Sequence, residues 1–131
     1  MDFNDIRQFA EETFGAACVP RGGGAFSLTL DGWTVSFAPI PGDPAMALVR
    51  SRVLDMEAVA RKGSLALAAL EGNFFWSGTN GGTLSADADG ALWLTERRPV
   101  GELAAPGGLE ACLSGFAETL SAWRERSALH E

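Results

Sequence analysis

Two runs of alternating apolar and polar residues, joined by a tight-turn dipeptide, constrain the fold most strongly. Residues 26–30 read FSLTL and residues 33–37 read WTVSF, with Asp31-Gly32 between them. Alternation with a period of two places every second side chain on the same face of a β-strand. An Asp-Gly dipeptide favours the two-residue turn that joins antiparallel strands. The sequence therefore predicts a β-hairpin over residues 25–38.

A third strand is predicted over residues 45–54, with Val49 and Val53 facing the core. The intervening residues 39–44 contain three prolines and a glycine. Because proline has no backbone N–H to donate to a ladder, this stretch is expected to be a loop.

A second hairpin is predicted from the runs GGTLSA and ALWLTE, which are joined by Asp87-Ala88-Asp89-Gly90. Asp87, Asp89, Gly90 and Glu96 also match positions of a calcium-binding loop. That loop requires a helix on each side, whereas glycine-rich and alternating sequence flanks this one. The hairpin turn is therefore the favoured interpretation.

Helical spacing of apolar residues is seen over residues 3–14, 55–73 and 108–128. The candidate residues for starting or ending these helices are Asp2, Gly15 and Ser64. The predicted order is α-β-β-β-α-β-β-α, an α+β fold with a largely antiparallel sheet. A length of 131 residues suits one domain, 1–131, with one core.

The charge balance is acidic, with seventeen acidic against ten basic side chains and a net charge of −7. Such a surface disfavours nucleic acid, whose affinity for proteins depends on Lys and Arg. No apolar run approaches the roughly 20 residues that cross a bilayer. The first residues lack the pattern of a secretory signal, so we expect a cytoplasmic protein without membrane insertion. Cys18 and Cys112 are expected to be free thiols.

The sequence carries little that resembles catalytic chemistry. Its single histidine is His130, next to the last residue, so a Ser-His or Cys-His pair is missing. The stretch Gly78–Gly82 lacks the following Lys-Ser/Thr of a phosphate-binding loop. We therefore expect neither an enzyme nor a cofactor nor a metal site.

Three stretches carry a resemblance to a known family. They are LALAALEGNFF over residues 65–75, GGTLSADADGALWL over residues 81–94, and FAETLSAWR over residues 116–124. In this order they resemble the second helix, the second hairpin and the final helix of the class I type III secretion chaperones, the Tir chaperone family. The resemblance implies a homodimer that binds the extended N-terminal region of a secretion effector without ATP.

Two sets of residues are predicted to carry these interactions. The predicted dimer residues, chosen because apolar side chains cover more than one face of the second helix, are Leu65, Leu67, Leu70 and Trp93. The predicted effector-binding residues, from the third strand's non-core face and the first helix, are Met46, Leu48, Arg50, Arg52, Phe3 and Ile6. The alternatives are a monomer core for the first set, and a solvated strand face with a core helix stripe for the second.

Two other functions remain open from the sequence. One is a general protein-interaction adaptor of the same fold that serves no secretion system. The other is a small enzyme or ligand-binding domain that uses the glycine-rich loops, against which stands the missing nucleophile–base pair.

Overall fold

The structure is a computed structural model that describes residues 2–30, 32–76 and 78–128. Its helices and strands in chain order are α1 (Phe3–Phe14), β1 (Cys18–Pro20), β2 (Phe26–Leu30), β3 (Trp33–Ile40), β4 (Asp43–Asp55), α2 (Lys62–Asn73), β5 (Thr83–Ala86), β6 (Ala91–Pro99), α3 (Val100–Ala104) and α4 (Gly108–Ala128). Single 3₁₀ turns lie at Gly15–Ala17, Gly22–Gly24, Met56–Ala58 and Phe74–Trp76. The strands form one sheet in the order β1-β2-β3-β4-β6-β5. The predicted α+β class with a largely antiparallel sheet is confirmed.

Both predicted hairpins are present. Strands β2 and β3 pair from Phe26↔Phe37 to Leu30↔Trp33, around a turn whose Asp31 lies outside the described residues. Strands β5 and β6 pair antiparallel, with Leu84 opposite Leu94. Helix α4 has the predicted bounds, and α1 begins with a capping box between Asp2 and Asp5.

The predicted loop over residues 39–44 is wrong. Strand β3 continues to Ile40 and β4 begins at Asp43, so only Pro41-Gly42 lies between them. Gly42 has φ +80°, and a proline followed by a glycine with positive φ suits a type II turn. The register shifts between Pro39 and Ile40. A bulge of this kind accommodates a proline that has no N–H to donate.

Three further differences concern two elements that the sequence did not predict and the start of α2. The sheet has six strands rather than five, because β1 is only three residues long and gives no alternating pattern. The short helix α3 was not predicted either. Helix α2 begins at Lys62, so Ser64 lies inside it and is not its cap. Upstream of α2, the Asp55 carboxylate accepts the Glu57 N–H at 3.0 Å and begins a separate 3₁₀ turn.

The chain divides into two compact units, of which the first comprises Met1–Arg50 and Arg97–Ser114. Its core is aromatic: the rings of Phe3 and Phe26 lie 5.6 Å apart, and Phe26 stacks on Phe37 at 5.0 Å. Ile6 lies on the inner side of α1 and is fully buried, and α1 packs against α3. This row of rings therefore joins α1 to the β2–β3 strand pair.

The second unit comprises Ser51–Glu96 and Gly115–Glu131. Its centre is Trp123, which is fully buried and donates its indole N–H to the Gly78 carbonyl at 2.8 Å. The Gly78 N–H in turn donates to the Gly72 carbonyl at 2.9 Å. The Arg126 guanidinium lies 4.3 Å from the centre of the indole. These contacts join the end of α2 to α4.

Gly72 is expected to be intolerant of any side chain, because a Cβ there would lie 2.5 Å from Trp123 Cζ2. We predict that Gly72→Ala destabilises the protein by about 1–3 kcal/mol, as overpacking of a rigid core does. The matched control is Gly63→Ala in the same helix, where a Cβ meets open space. That control should be neutral or stabilise by up to about 1 kcal/mol. Urea denaturation measures both, and equal midpoints would contradict the account.

Candidate partner-binding surfaces

An apolar cavity of about 340 Å³ lies in the first unit. Phe3 lines it from α1, and Ile40 and Met46 line it from the β3–β4 hairpin. Gly23 and Gly24 line it from the 3₁₀ turn that precedes β2. The two glycines have φ of +72° and +82°, a conformation that side-chain-bearing residues rarely adopt. The absence of side chains at both positions contributes to the space.

The cavity walls differ in rigidity. The Phe3 ring rests on Phe26 and is nearly buried, so it forms a fixed wall. Met46 is half-buried and unbranched, so its side chain adapts to the shape of an occupant. The Asp2 carboxylate at the rim accepts the Asp5 N–H at 3.1 Å. The site therefore suits an apolar side chain of a partner more than a charged one.

The predicted effector-binding residues are dispersed, and only two of them line the cavity: Phe3 and Met46. Ile6 is fully buried in the core beneath α1. Leu48 is half-buried and Arg50 exposed further along β4, on the same strand face as Met46. Arg52 is also exposed, but it belongs to the second unit.

Sequence reasoning missed the contribution of Ile40 and of the glycine turn to this cavity. Ile40 lies in the stretch 39–44, whose prolines indicate a loop, and residues 22–24 are three consecutive glycines, which carry no apolar pattern. The pair Pro41-Gly42 was the available signal, because it predicts a tight turn that brings Ile40 and Asp43 together.

A second apolar surface lies on α2 and its continuation. We call it the α2 face and define it by Leu67, Leu70, Phe74 and Trp76, which are 58%, 68%, 70% and 55% exposed. Leu70 follows Leu67 by three residues and Phe74 follows Leu70 by four, so these side chains lie along one side of the helix. Leu65, by contrast, is fully buried and helps to hold α2 in its own unit.

Trp76 combines exposure with an uncommon backbone. Its φ is +57°, the left-handed region in which bulky residues are outliers. The 3₁₀ turn Phe74–Trp76 thus holds a large apolar side chain at the surface at a conformational cost. Residues in such conformations cluster at functional sites.

Trp93, the remaining predicted dimer residue, is half-buried and belongs to a turn network. Its indole N–H donates to the Asp87 carboxylate at 2.8 Å. The other Asp87 oxygen accepts the N–H groups of Asp89 and Ala91. The Trp93 bond and then the Ala91 amide bond lower the pKa of Asp87 below 3.8; desolvation opposes them, and the Asp89 amide bond and the charge of Arg52 lower the pKa further.

The residues that match a calcium loop therefore serve a hairpin. Both Asp87 oxygens act within the turn, and Glu96 is buried on β6 rather than on a flanking helix. Within residues 2–30, 32–76 and 78–128, no three His, Cys, Asp or Glu side chains are grouped to hold a metal ion. His130 lies outside the described residues.

Cys18 and Cys112 are thiols rather than partners in a disulfide, as predicted, and the structure shows that both are buried. Burial and then the nearby charge of Glu11 raise the pKa of the Cys18 thiol, against a smaller opposing effect of Arg7. The thiolate, which is the reactive form, is therefore disfavoured. In the described part of the chain, none of the helices has the length and apolar character to cross a membrane.

The model of the Tir chaperone protein (CesT) family matches residues 6–124. The chain belongs to this family. The resemblance seen in the sequence is thus confirmed. No curated relative matches the chain by sequence.

Solved structures of similar fold include three protein complexes. The ExsC-ExsE complex matches with a TM-score of 0.73 at 15% identity, covering 94% of this chain and 90% of that one. The HopA1-SchA chaperone–effector complex matches with a TM-score of 0.63 at 18% identity, covering 92% and 90%. The Yersinia pestis type III secretion chaperone SycH, in complex with a stable fragment of YscM2, matches with a TM-score of 0.60 at 17% identity, covering 98% and 99%. At these identities the likeness establishes the fold.

The Asp87 network predicts a pH-dependent contribution to stability. The pKa of Asp87 is lower in the folded protein than its usual value of 3.8. The ionised carboxylate therefore stabilises the fold at pH values above 3.8. This contribution is lost as the pH falls through the lowered pKa. We expect Asp87→Ala to lower the urea midpoint at pH 7, and the difference from wild type to shrink below pH 3.8. The neighbouring control Asp89→Ala should have little effect at either pH. A gap that is the same at both pH values would contradict this assignment.

Proposed function

We propose that this chain is an ATP-independent cytoplasmic chaperone that binds the extended N-terminal region of a type III secretion effector and acts as a homodimer. The observation that carries the proposal is the apolar cavity that Phe3 and Met46 both line. It occurs in a chain that belongs to the Tir chaperone protein family over residues 6–124. Two of the similar folds support it, since HopA1-SchA is a chaperone–effector complex and SycH a type III secretion chaperone.

The physical basis is burial of apolar side chains from a disordered partner. A segment that folds on binding loses conformational entropy, so it must bury enough apolar area to compensate. The cavity accepts such a side chain in the first unit. Leu48 and Arg50 extend the same β4 face, where the guanidinium can meet acidic side chains or backbone carbonyls of the partner.

Binding of the partner is tested at Met46. We expect Met46→Glu to weaken capture about tenfold or more, because a carboxylate would replace an apolar wall of a cavity that Asp2 also lines. The matched control is Ala45→Glu, which adds the same charge one residue away, at an exposed position that does not line the cavity. The probes are the N-terminal segments of proteins encoded beside this gene, co-expressed and co-purified with the chain. Equal capture by both variants would remove the cavity from the site.

The homodimer is supported by the α2 face. A monomer that exposes two leucines, a phenylalanine and a tryptophan on one short segment leaves an apolar patch of the kind that marks interfaces. A second copy of the chain would cover Leu67 and Leu70 with the α2 face of its own protomer, because both subunits of a two-fold dimer use the same surface. Leu65, which is fully buried, would contribute only by holding α2 in place, and Trp93 only by holding the β5–β6 turn.

Dimer formation is tested by introducing charge on this face. Wild-type protein at micromolar concentration should scatter light as a species of about twice 13.8 kDa. The variant Leu67→Glu/Leu70→Glu should scatter as a monomer with an unchanged far-ultraviolet dichroism spectrum, because exposed positions tolerate the charge in the folded protomer. The control is Ser121→Glu, at an exposed position of α4 in the same unit. A monomeric wild type would overturn the homodimer but leave the cavity intact.

Family membership and fold favour a role without catalysis, and the net charge of −7 disfavours a nucleic-acid partner. The adaptor alternative differs in the partner alone. An adaptor would bind proteins unconnected with secretion, so the two functions are separated by whether the proteins captured in the co-expression experiment are exported by a type III secretion system.

A further inference from the structure

Strand β5 lies at one end of the sheet order and pairs with β6 on one side. The N–H and C=O groups on the other side of such a strand form a template for another extended chain. Proteins that remain soluble close this edge in some way. How β5 is closed determines whether an extended polypeptide can be added there.

The residues of β5 that face outward follow from the ladder. Asp87 donates its N–H to the Ala91 carbonyl at 3.0 Å, which makes these two a hydrogen-bonded pair. Hydrogen-bonded and non-hydrogen-bonded pairs alternate along an antiparallel ladder. Thr83 and Ser85 therefore bond to β6, whereas the backbone groups of Leu84 and Ala86 point to the open edge.

The Asn73 side chain occupies this edge at Leu84. Its amide group donates to the Leu84 carbonyl at 2.9 Å, and its amide oxygen accepts the Leu84 N–H at 2.8 Å. One side chain thus makes both bonds that a residue of a neighbouring strand would make. Asn73 is the last residue of α2, and this helix packs against β5.

The preceding outward position, Gly82, is occupied as well. Its N–H donates to the Thr79 carbonyl at 3.2 Å, and its carbonyl accepts the hydroxyl of Thr79 at 2.6 Å. Thr79 is almost completely buried, so this contact is well shielded from water. With Gly82 and Leu84 both engaged, Ala86 is left beside the turn, and one residue cannot start a ladder.

We propose that Asn73, assisted by Thr79, closes the β5 edge and thereby excludes the addition of any extended polypeptide there, including β5 of a second copy of this chain. The inference concerns a different surface from the cavity and from the α2 face. It holds whether or not the partner is a secretion effector. For the proposed chaperone it means that an extended client is directed away from β5.

The first test uses the wild-type protein and amide hydrogen exchange measured by NMR. The Leu84 amide should exchange at least about tenfold more slowly than the Ala86 amide, although both face the same edge, because Asn73 protects only the first. Equal exchange rates at the two positions would overturn the proposal.

The second test changes the side chain. Asn73→Leu keeps the size but removes both bonds, so the Leu84 amide should exchange as fast as that of Ala86. Species heavier than wild type should form, and adding Ala86→Lys should reverse this, since a lysine on an edge strand blocks pairing. Asn73→Asp keeps the acceptor, so its Leu84 amide should remain protected. Faster exchange of Leu84 without heavier species would overturn the exclusion of partners. If Asn73→Leu fails to fold, the wild-type and Asn73→Asp exchange rates decide.

Discussion

The packing of the end of α2 against the buried indole of Trp123 is the contact on which the functional surfaces of the second unit depend. Gly72 has no side chain where a Cβ would lie 2.5 Å from the indole, so the helix approaches α4 at backbone distance. This approach fixes the rotation of α2. Leu65 is then buried, Leu67 and Leu70 face outward, and Asn73 reaches the Leu84 backbone. A bulkier residue at position 72 would disturb the core, the exposed face and the closed edge together.

The apolar side chains of this chain therefore fall into two groups. One group fills the cores, such as the stacked rings of Phe26 and Phe37 in the first unit and Trp123 in the second. The other group lines a cavity or remains exposed, and it includes Met46, Leu67 and Leu70. Exposed apolar patches are uncommon in monomers that bind nothing. The proposed second protomer would cover the exposed leucines, and the proposed client would occupy the cavity.

Local patterns predicted those elements whose signals are local. The β2–β3 hairpin and the bounds of α4 follow from periodicity, and Val49 and Val53 are buried as their alternation required. The β3–β4 turn was missed, because its prolines argue against strands although Pro41-Gly42 is itself a turn signal. In α2, leucine and alanine surround the helix, so its sequence cannot distinguish the buried Leu65 from the exposed Leu67. That distinction comes from tertiary packing at Gly72, and so does the role of Asn73.

The central claim is that the apolar surface left exposed by the monomer is covered by a second protomer and by an extended client. Native mass spectrometry of the complex with a co-expressed N-terminal effector segment tests it most directly, because the mass gives the stoichiometry in a single measurement. The account predicts a complex that contains two copies of the 13.8 kDa chain together with the client segment. A complex with a single copy of the chain, or a chain that binds none of these segments, would contradict it.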